Sequence, residues 1–181
     1  VYPTFEEYPN RLDTQRVVKL VPQSEDFHYD VDALIAYFEN HPVENLLLIN
    51  PDNPSGNYIK YSELLRLRDW ARSRGCRLVV DESFADFSDE FPNNTLLRDS
   101  LLMENPHLVV MKSISKSFGV PGVRLGVLAS GDRSLVSRIK KDVSIWNINS
   151  FAEFFLQIYS KYDRDYRNAA AKFVLERERF R

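Results

Sequence analysis

The chain has 181 residues, a formal net charge of −2 and an isoelectric point near 6.0. Hydrophobic residues make up 44% and charged residues 28%, which is typical of a folded globular protein and excludes a disordered or fibrous one. This balance gives no electrostatic case for nucleic acid or an anionic membrane as a partner, and no apolar run approaches the roughly eighteen residues of a membrane span.

Apolar residues recur along the chain in patterns that predict alternating strands and helices. In chain order these are a strand over 17–21, a helix over 31–40, a strand over 46–49, a helix from about Ser62 to Arg74, a strand over 77–81, a helix near 95–104, strands over 107–111 and 125–129, and a helix from about Asp132. Ser62 is the expected N-cap of its helix, and Gly75 is placed to end it. Such alternation predicts an α/β fold with a mostly parallel sheet.

The pattern changes at about residue 150. From there an apolar stripe predicts one long helix or two, carried by Phe154, Phe155, Ile158, Tyr159 and Tyr162. We therefore expect a core domain over 1–149 and a helical segment over 150–181 that leads toward a further, small domain. A start without Met and an end without a closing strand lead us to expect a chain truncated at both ends.

Three polar clusters each follow a predicted strand. They cover residues 50–56 (NPDNPSG), 81–84 (DESF) and 113–126 (SISKSFGVPGVRLG). Because ligands in parallel α/β sheets bind beyond the carboxyl ends of the strands, we expect Asn53, Asp81 and Lys116 to converge on one site. Singly, each cluster has a purely structural interpretation: Asn53 lies among turn-forming residues, and Asp81 could cap a strand end.

Lys116 has the neighbours that a reactive lysine would need. A lysine amine can attack an aldehyde, while Ser113, Ser115 and Arg124 can hold a phosphate dianion with hydroxyl and guanidinium donors. The aldehyde that matches this set is pyridoxal 5′-phosphate (PLP). Ser113-x-x-Lys116 is also the nucleophile pattern of serine β-lactamases, but the Ser-Asp-Asn and Lys-Thr-Gly sequences that accompany it there are absent from this chain.

As an ordered set, these clusters resemble the PLP-binding large domain of fold-type-I aminotransferases of classes I and II. They most resemble the branch of histidinol-phosphate aminotransferase and threonine-phosphate decarboxylase. The resemblance implies a three-layer α/β/α domain. It implies that Lys116 forms a Schiff base with PLP and moves a proton at the substrate's Cα, and that Asp81 pairs with the pyridine nitrogen. Asn53 would bond the phenolic oxygen of the cofactor.

The resemblance extends to the remaining cofactor contacts and to the partners. Ser113, Ser115 and Arg124 would hold the phosphate, and Phe5 would stack on the ring, although Tyr8 could equally face the site. It implies an aminotransferase that acts on a small amino acid or amino-alcohol phosphate and forms a homodimer in the full-length protein. Family members complete both sites with an N-terminal loop and a C-terminal domain, so we expect this chain to be inactive alone.

Phe84 departs from the usual aminotransferase pattern, which has tyrosine three residues after the aspartate. Phenylalanine there resembles the threonine-phosphate decarboxylase branch. Two alternatives therefore stay open beside the aminotransferase: a PLP-dependent decarboxylase of that type, and a PLP-binding regulatory module without turnover.

Other classes of site find no support in the sequence. The chain has neither G-x-G-x-x-G nor G-x-x-x-x-G-K-[ST], which argues against nicotinamide and phosphate-loop nucleotide sites. His28, His41 and His107 are scattered, so no metal site is predicted. Cys76 is the single cysteine and cannot form an intramolecular disulfide, so a reducing, cytoplasmic location is expected.

Overall fold

A computed structural model describes residues 1–180 of the chain. Within that range four strands form one sheet in sequential order: β1 (Asn45–Ile49), β2 (Arg77–Asp81), β3 (Leu108–Ser113) and β4 (Gly126–Ser130). The pairs β1–β2 and β2–β3 are parallel, whereas β3–β4 is antiparallel. The expected α/β fold with a mostly parallel sheet is confirmed. The last pair is antiparallel because the chain turns back after β3 without a long helical crossover.

Eight α-helices accompany the sheet in residues 1–180. They are α1 (Glu7–Asn10), α2 (Val31–Asn40), α3 (Tyr61–Ser73), α4 (Asp99–Glu104), α5 (Ile114–Ser117), α6 (Arg133–Asp142), α7 (Ser150–Ile158) and α8 (Asp163–Arg179). The core lies where α2 and α3 cover the sheet, and Leu34, Leu64, Leu67, Leu78 and Leu108 are almost fully buried there. Burying each such leucine contributes about 1.5–3 kcal/mol, so this layer holds the strands in place.

Local signals set most helix ends. The carboxylate of Asp132 accepts hydrogen bonds from the backbone N–H groups of Ser134 and Leu135, and α6 begins at the next residue, as predicted. Gly75 follows α3 with φ of +64°, a left-handed conformation that suits glycine. The predicted N-cap of α3 is wrong. Lys60 holds that position without a side-chain bond, and Ser62 lies inside the helix.

The predicted strand over 17–21 is wrong. Those residues belong to no strand, and Leu20 O accepts a single backbone hydrogen bond, from Tyr2 N at 2.8 Å. Val18 and Val21 remain 41% and 51% exposed, so Leu20 is the buried residue of this run. Residues 17–21 have the apolar composition of a strand, but within residues 1–180 they pair with no other strand.

The helix predicted near 95–104 begins only at Asp99. The preceding residues are held by the buried carboxylate of Glu82, which accepts bonds from Leu96 N at 2.6 Å and from Thr95 Oγ1 at 2.7 Å. Because the Leu96 N–H and the Thr95 hydroxyl are both bonded to Glu82, residues 95 and 96 do not form the first turn of the helix. Burial raises the pKa of Glu82, and the two bonds oppose that rise.

After residue 149 the chain forms two helices, α7 and α8, joined by a 3₁₀ turn over Tyr159–Tyr162. Of the predicted apolar stripe, Phe155 packs on Phe118 with ring centroids 5.7 Å apart, while Phe154 and Tyr162 are more than half exposed. The division at residues 149 and 150 stays a prediction. None of the helices within residues 1–180 is both long and apolar enough to cross a membrane.

Candidate active site

The carboxyl ends of β1, β2 and β3 meet at one edge of the sheet and bring the three polar clusters together. Asn50 N, just after β1, donates to Asp81 O at 2.9 Å, and Glu82 N, just after β2, donates to Met111 O at 2.8 Å. Backbone hydrogen bonds thus join neighbouring strands at the points where the polar clusters begin. This is the edge at which α/β sheets bind their ligands.

Asp81 is buried at this edge and is surrounded by hydrogen-bond donors. Its Oδ1 accepts from Ser83 N at 2.9 Å and from Ser83 Oγ at 2.5 Å. Its Oδ2 accepts from the hydroxyl of Tyr8 at 2.5 Å. Three donors compensate a buried carboxylate for its lost hydration. The pKa of Tyr8 is raised, first by burial and then by its bond to Asp81, so its hydroxyl remains protonated and donates.

Lys116 lies between two aromatic rings. Its Nζ is 4.5 Å from the ring centroid of Phe84 and 5.3 Å from that of Phe5. Within residues 1–180 this ammonium has no hydrogen bond or ion pair, so the two rings supply its favourable contacts. An amine held in this way can enter a reaction without first breaking a salt bridge.

Ser83 connects Asp81 to the helix that carries Lys116. Its Oγ donates to Asp81 and accepts from Ser113 N at 2.9 Å, and its carbonyl accepts from Ser117 Oγ at 3.4 Å. Ser83 belongs to the 81–84 cluster, but no role was predicted for it from the sequence. A hydroxyl two residues after an aspartate is a recognisable local signal for a side-chain bond, and it could have identified the first of these contacts.

The three predicted phosphate ligands lie in different environments. Ser113 Oγ has no hydrogen-bond partner among the described residues. Ser115 Oγ accepts from Leu125 N at 3.1 Å and donates to Leu125 O at 3.4 Å, so this hydroxyl holds the connection to β4. Arg124 is exposed, and its Nη1 donates to Pro121 O at 3.3 Å. Their shared role at a phosphate stays a prediction.

Arg124 also has an unusual backbone. Its φ of +52° places it in the left-handed region, which is uncommon for a residue other than glycine. Conformations of this kind concentrate at ligand sites, where the surrounding structure maintains them. The residue sits two positions before β4, and it is exposed.

The loop after β1 is closed by its own side chains. Asn50 bonds both backbone groups of Ile59, through Nδ2 at 2.9 Å and Oδ1 at 2.8 Å, and buried Asp52 accepts from Asn53 N and Ser55 Oγ. Burial raises the pKa of Asp52. These bonds account for the turn without a ligand, yet the side-chain amide of Asn53 has no partner within residues 1–180 and is available to bind one.

Two cavities lie beside this cluster rather than within it. One, of about 460 Å³, borders the outer edge of β1 and is lined in part by Tyr8. The other, of about 350 Å³, is bordered by α7. Lys112 and Asp86, which form a buried ion pair, line this cavity, and Asp86 also accepts a hydrogen bond from the Tyr166 hydroxyl. These charged groups partner one another, which indicates a structural role.

The family model for class I and II aminotransferases matches residues 2–180. The chain belongs to this family. An L-serine phosphate decarboxylase of Sulfurospirillum multivorans is 31% identical over 99% of the chain and 46% of its own length. A histidinol-phosphate aminotransferase of Ruminiclostridium cellulolyticum is 29% identical over 88% of the chain and 42% of its own length.

The fold agrees with this family. A solved decarboxylase from Sulfurospirillum multivorans superposes with a TM-score of 0.82 at 30% identity, covering 99% of this chain and 51% of that protein. The chain thus spans between about a quarter and a half of the length of its curated relatives. PLP is the cofactor of class I and II aminotransferases.

Proposed function

We propose that this chain is the PLP-binding part of an enzyme that decarboxylates a phosphorylated α-amino acid. The observation that carries the proposal is Lys116, whose amine lies near the rings of Phe5 and Phe84 without a charged partner among residues 1–180. Its helix is joined to the buried Asp81 through Ser83. The serine phosphate decarboxylase relatives, which align over 98–99% of the chain, support the choice of reaction and substrate class.

The residues present fit PLP. Asp81 is a buried carboxylate that can hold a proton on the ring nitrogen, and Lys116 is an uncommitted amine for the aldehyde. The free amide of Asn53 suits the phenolic oxygen. The hydroxyl of Ser113 suits the phosphate, and Arg124 and Ser115 could join it by exchanging the backbone bonds that they now make. Phe5 would provide an aromatic face for the ring.

Bound PLP would supply an electron sink for the pair of electrons released when a bond at Cα breaks. The chain's own groups would control the protons. Asp81, held by Ser83 on one oxygen, would keep the ring nitrogen protonated, and Lys116 Nζ would deliver or remove the proton at Cα. Phe5 and Phe84 would offer their ring faces to the amine and to the bound ring beside it.

Phe84 favours decarboxylation over transamination in this proposal. At position 84 the chain has a phenyl ring, whose centroid is 4.5 Å from Lys116 Nζ. It lacks the hydroxyl group that aminotransferases of this family usually have there. A site without that donor binds the phenolic oxygen of the cofactor less tightly. Transamination remains the second candidate, because histidinol-phosphate aminotransferases are similar to the chain over most of its length. A regulatory module without turnover is the third.

The test is a product assay on the gene product that carries this chain. With PLP and O-phospho-L-serine or O-phospho-L-threonine, we expect release of CO₂ and formation of the corresponding phosphorylated amine, detected by mass spectrometry. In D₂O the amine should carry one deuterium at the former Cα. Formation of glutamate from 2-oxoglutarate with histidinol phosphate as amino donor would establish the aminotransferase instead. PLP binding without either product would indicate the regulatory module.

We further propose that this gene product is a cytoplasmic homodimer. The location is supported by Cys76, which is a free and buried thiol. Dimerisation is supported by the apolar side chains between α6 and the first turn of α7, where Ile145, Trp146 and Phe151 are 94%, 89% and 80% exposed. Sedimentation of the gene product would test it, and a monomer at micromolar concentration would contradict it.

A further inference from the structure

The three donors to Asp81 differ in how they are held. Ser83 supplies two of them to Oδ1 from only two residues along the chain, so these bonds are part of the local turn. The third donor is the hydroxyl of Tyr8, which reaches Oδ2 from 73 residues away. Oδ1 already accepts two bonds, so an incoming donor must approach Oδ2, where the hydroxyl of Tyr8 already lies.

We propose that the hydroxyl of Tyr8 and the pyridine nitrogen of PLP compete for Oδ2 of Asp81. The inference rests on the proposed function, because it requires PLP to bind at Asp81. A buried carboxylate oxygen that lacks a donor is unfavourable, so Tyr8 satisfies Oδ2 whenever the ring nitrogen does not. Tyr8 thereby tunes the affinity for the cofactor rather than the chemical step.

The surroundings of Tyr8 allow the exchange. Tyr8 lies on α1, a single helical turn with no buried residue, and it borders the cavity of about 460 Å³ beside β1, so its ring has room to move away. Its raised pKa keeps it a donor at neutral pH, so the competition does not depend on its ionisation there. Its ring also contacts Phe5 edge-to-face at 5.9 Å, and Phe5 in turn contacts Lys116.

Tyr8→Phe removes the hydroxyl and keeps the ring. In the gene product that carries this chain, a PLP titration followed by absorbance or protein fluorescence should give a Kd roughly ten- to a hundredfold lower for the variant than for the wild type. That is the scale of one net hydrogen bond to a charged group. Tyr8→Leu also lacks the hydroxyl and serves as a second variant if the first is poorly folded.

Tyr58→Phe is the matched control. Tyr58 is also half-buried, and its hydroxyl donates to a carboxylate, that of Glu90, at 2.6 Å. It makes no contact with Asp81, so its removal should leave the Kd for PLP unchanged. A second probe is the PLP analogue in which carbon replaces the ring nitrogen. It offers nothing to Oδ2, so Tyr8→Phe should not improve its binding.

Each outcome decides the proposal. Tighter binding of PLP by Tyr8→Phe, with no gain for the analogue, supports competition at Oδ2. An unchanged Kd would show a merely structural tyrosine, and a higher Kd would show that Tyr8 assists the cofactor; both overturn the proposal. An equal gain for PLP and the analogue also overturns it, because the ring nitrogen would then be irrelevant. If the wild type binds no PLP and borohydride traps none on Lys116, the proposed function itself fails.

Discussion

The buried ion pair between Lys112 and Asp86 offers a quantitative test of how the sheet edge near the candidate site is held. The two side chains are only 12% and 4% exposed, and the hydroxyl of Tyr166 also donates to Asp86, so helix α8 is attached to the same carboxylate. Burial and that bond raise the pKa of Tyr166, which keeps it a neutral donor. Lys112→Met removes the cation, keeps most of the apolar volume and leaves the Asp86 charge buried.

Breaking a buried pair from one side costs about 3–5 kcal/mol, and the remaining bond from Tyr166 places Lys112→Met near the lower end, at about 3 kcal/mol. The double variant Lys112→Met/Asp86→Leu removes both charges. It removes the Asp86 acceptor of the Tyr166 hydroxyl, at a cost of at most about 1–3 kcal/mol, and should still recover at least about 1 kcal/mol relative to Lys112→Met. Urea unfolding, with the two single variants and the double variant as a cycle, measures both quantities.

Arg66→Met is the matched control for this experiment. The ion pair of Arg66 with Asp32 is largely exposed, at 45% and 80%, so its loss should change the free energy of unfolding by less than about 1 kcal/mol. A loss below about 1 kcal/mol for Lys112→Met, or a double variant no more stable than that single variant, would refute the reasoning. Either result would mean that water or another cation compensates Asp86.

Three further predictions concern the site, a titrating tyrosine and a close backbone contact. Borohydride reduction with PLP should label the Lys116 peptide in mass spectra, and Lys116→Ala should lose the label while unfolding at the same urea concentration as the wild type. Burial raises the pKa of Tyr58 to about 12, above its ordinary value of 10.0, so stability should fall as pH rises from 10 to 12, and Tyr58→Phe should flatten that fall. A Cβ on Gly131 would lie 2.1 Å from Leu102 O, so Gly131→Ala should lower the free energy of unfolding by about 1–3 kcal/mol, whereas Gly122→Ala, with open space around it, should not.

Much of the fold could be predicted because it depends on short-range patterns. The continuous apolar runs of β1 and β2 and the periodic apolar residues of α2 and α3 indicate their own secondary structure. Asp132 and Gly75 mark helix ends through contacts with residues a few positions away. The order of the polar clusters after parallel strands likewise indicated one site before any side chain was placed.

The tertiary structure decided which side chains actually meet. The run over 17–21 has the composition of a strand but finds no strand to pair with in the described part of the chain. Ser115 has the residue type of a phosphate ligand, yet its hydroxyl bonds Leu125. The bond from Tyr8 to Asp81 joins residues 73 apart. Such partners are set by how the packed elements bring distant segments together, and no local period or cap in the sequence encodes that arrangement.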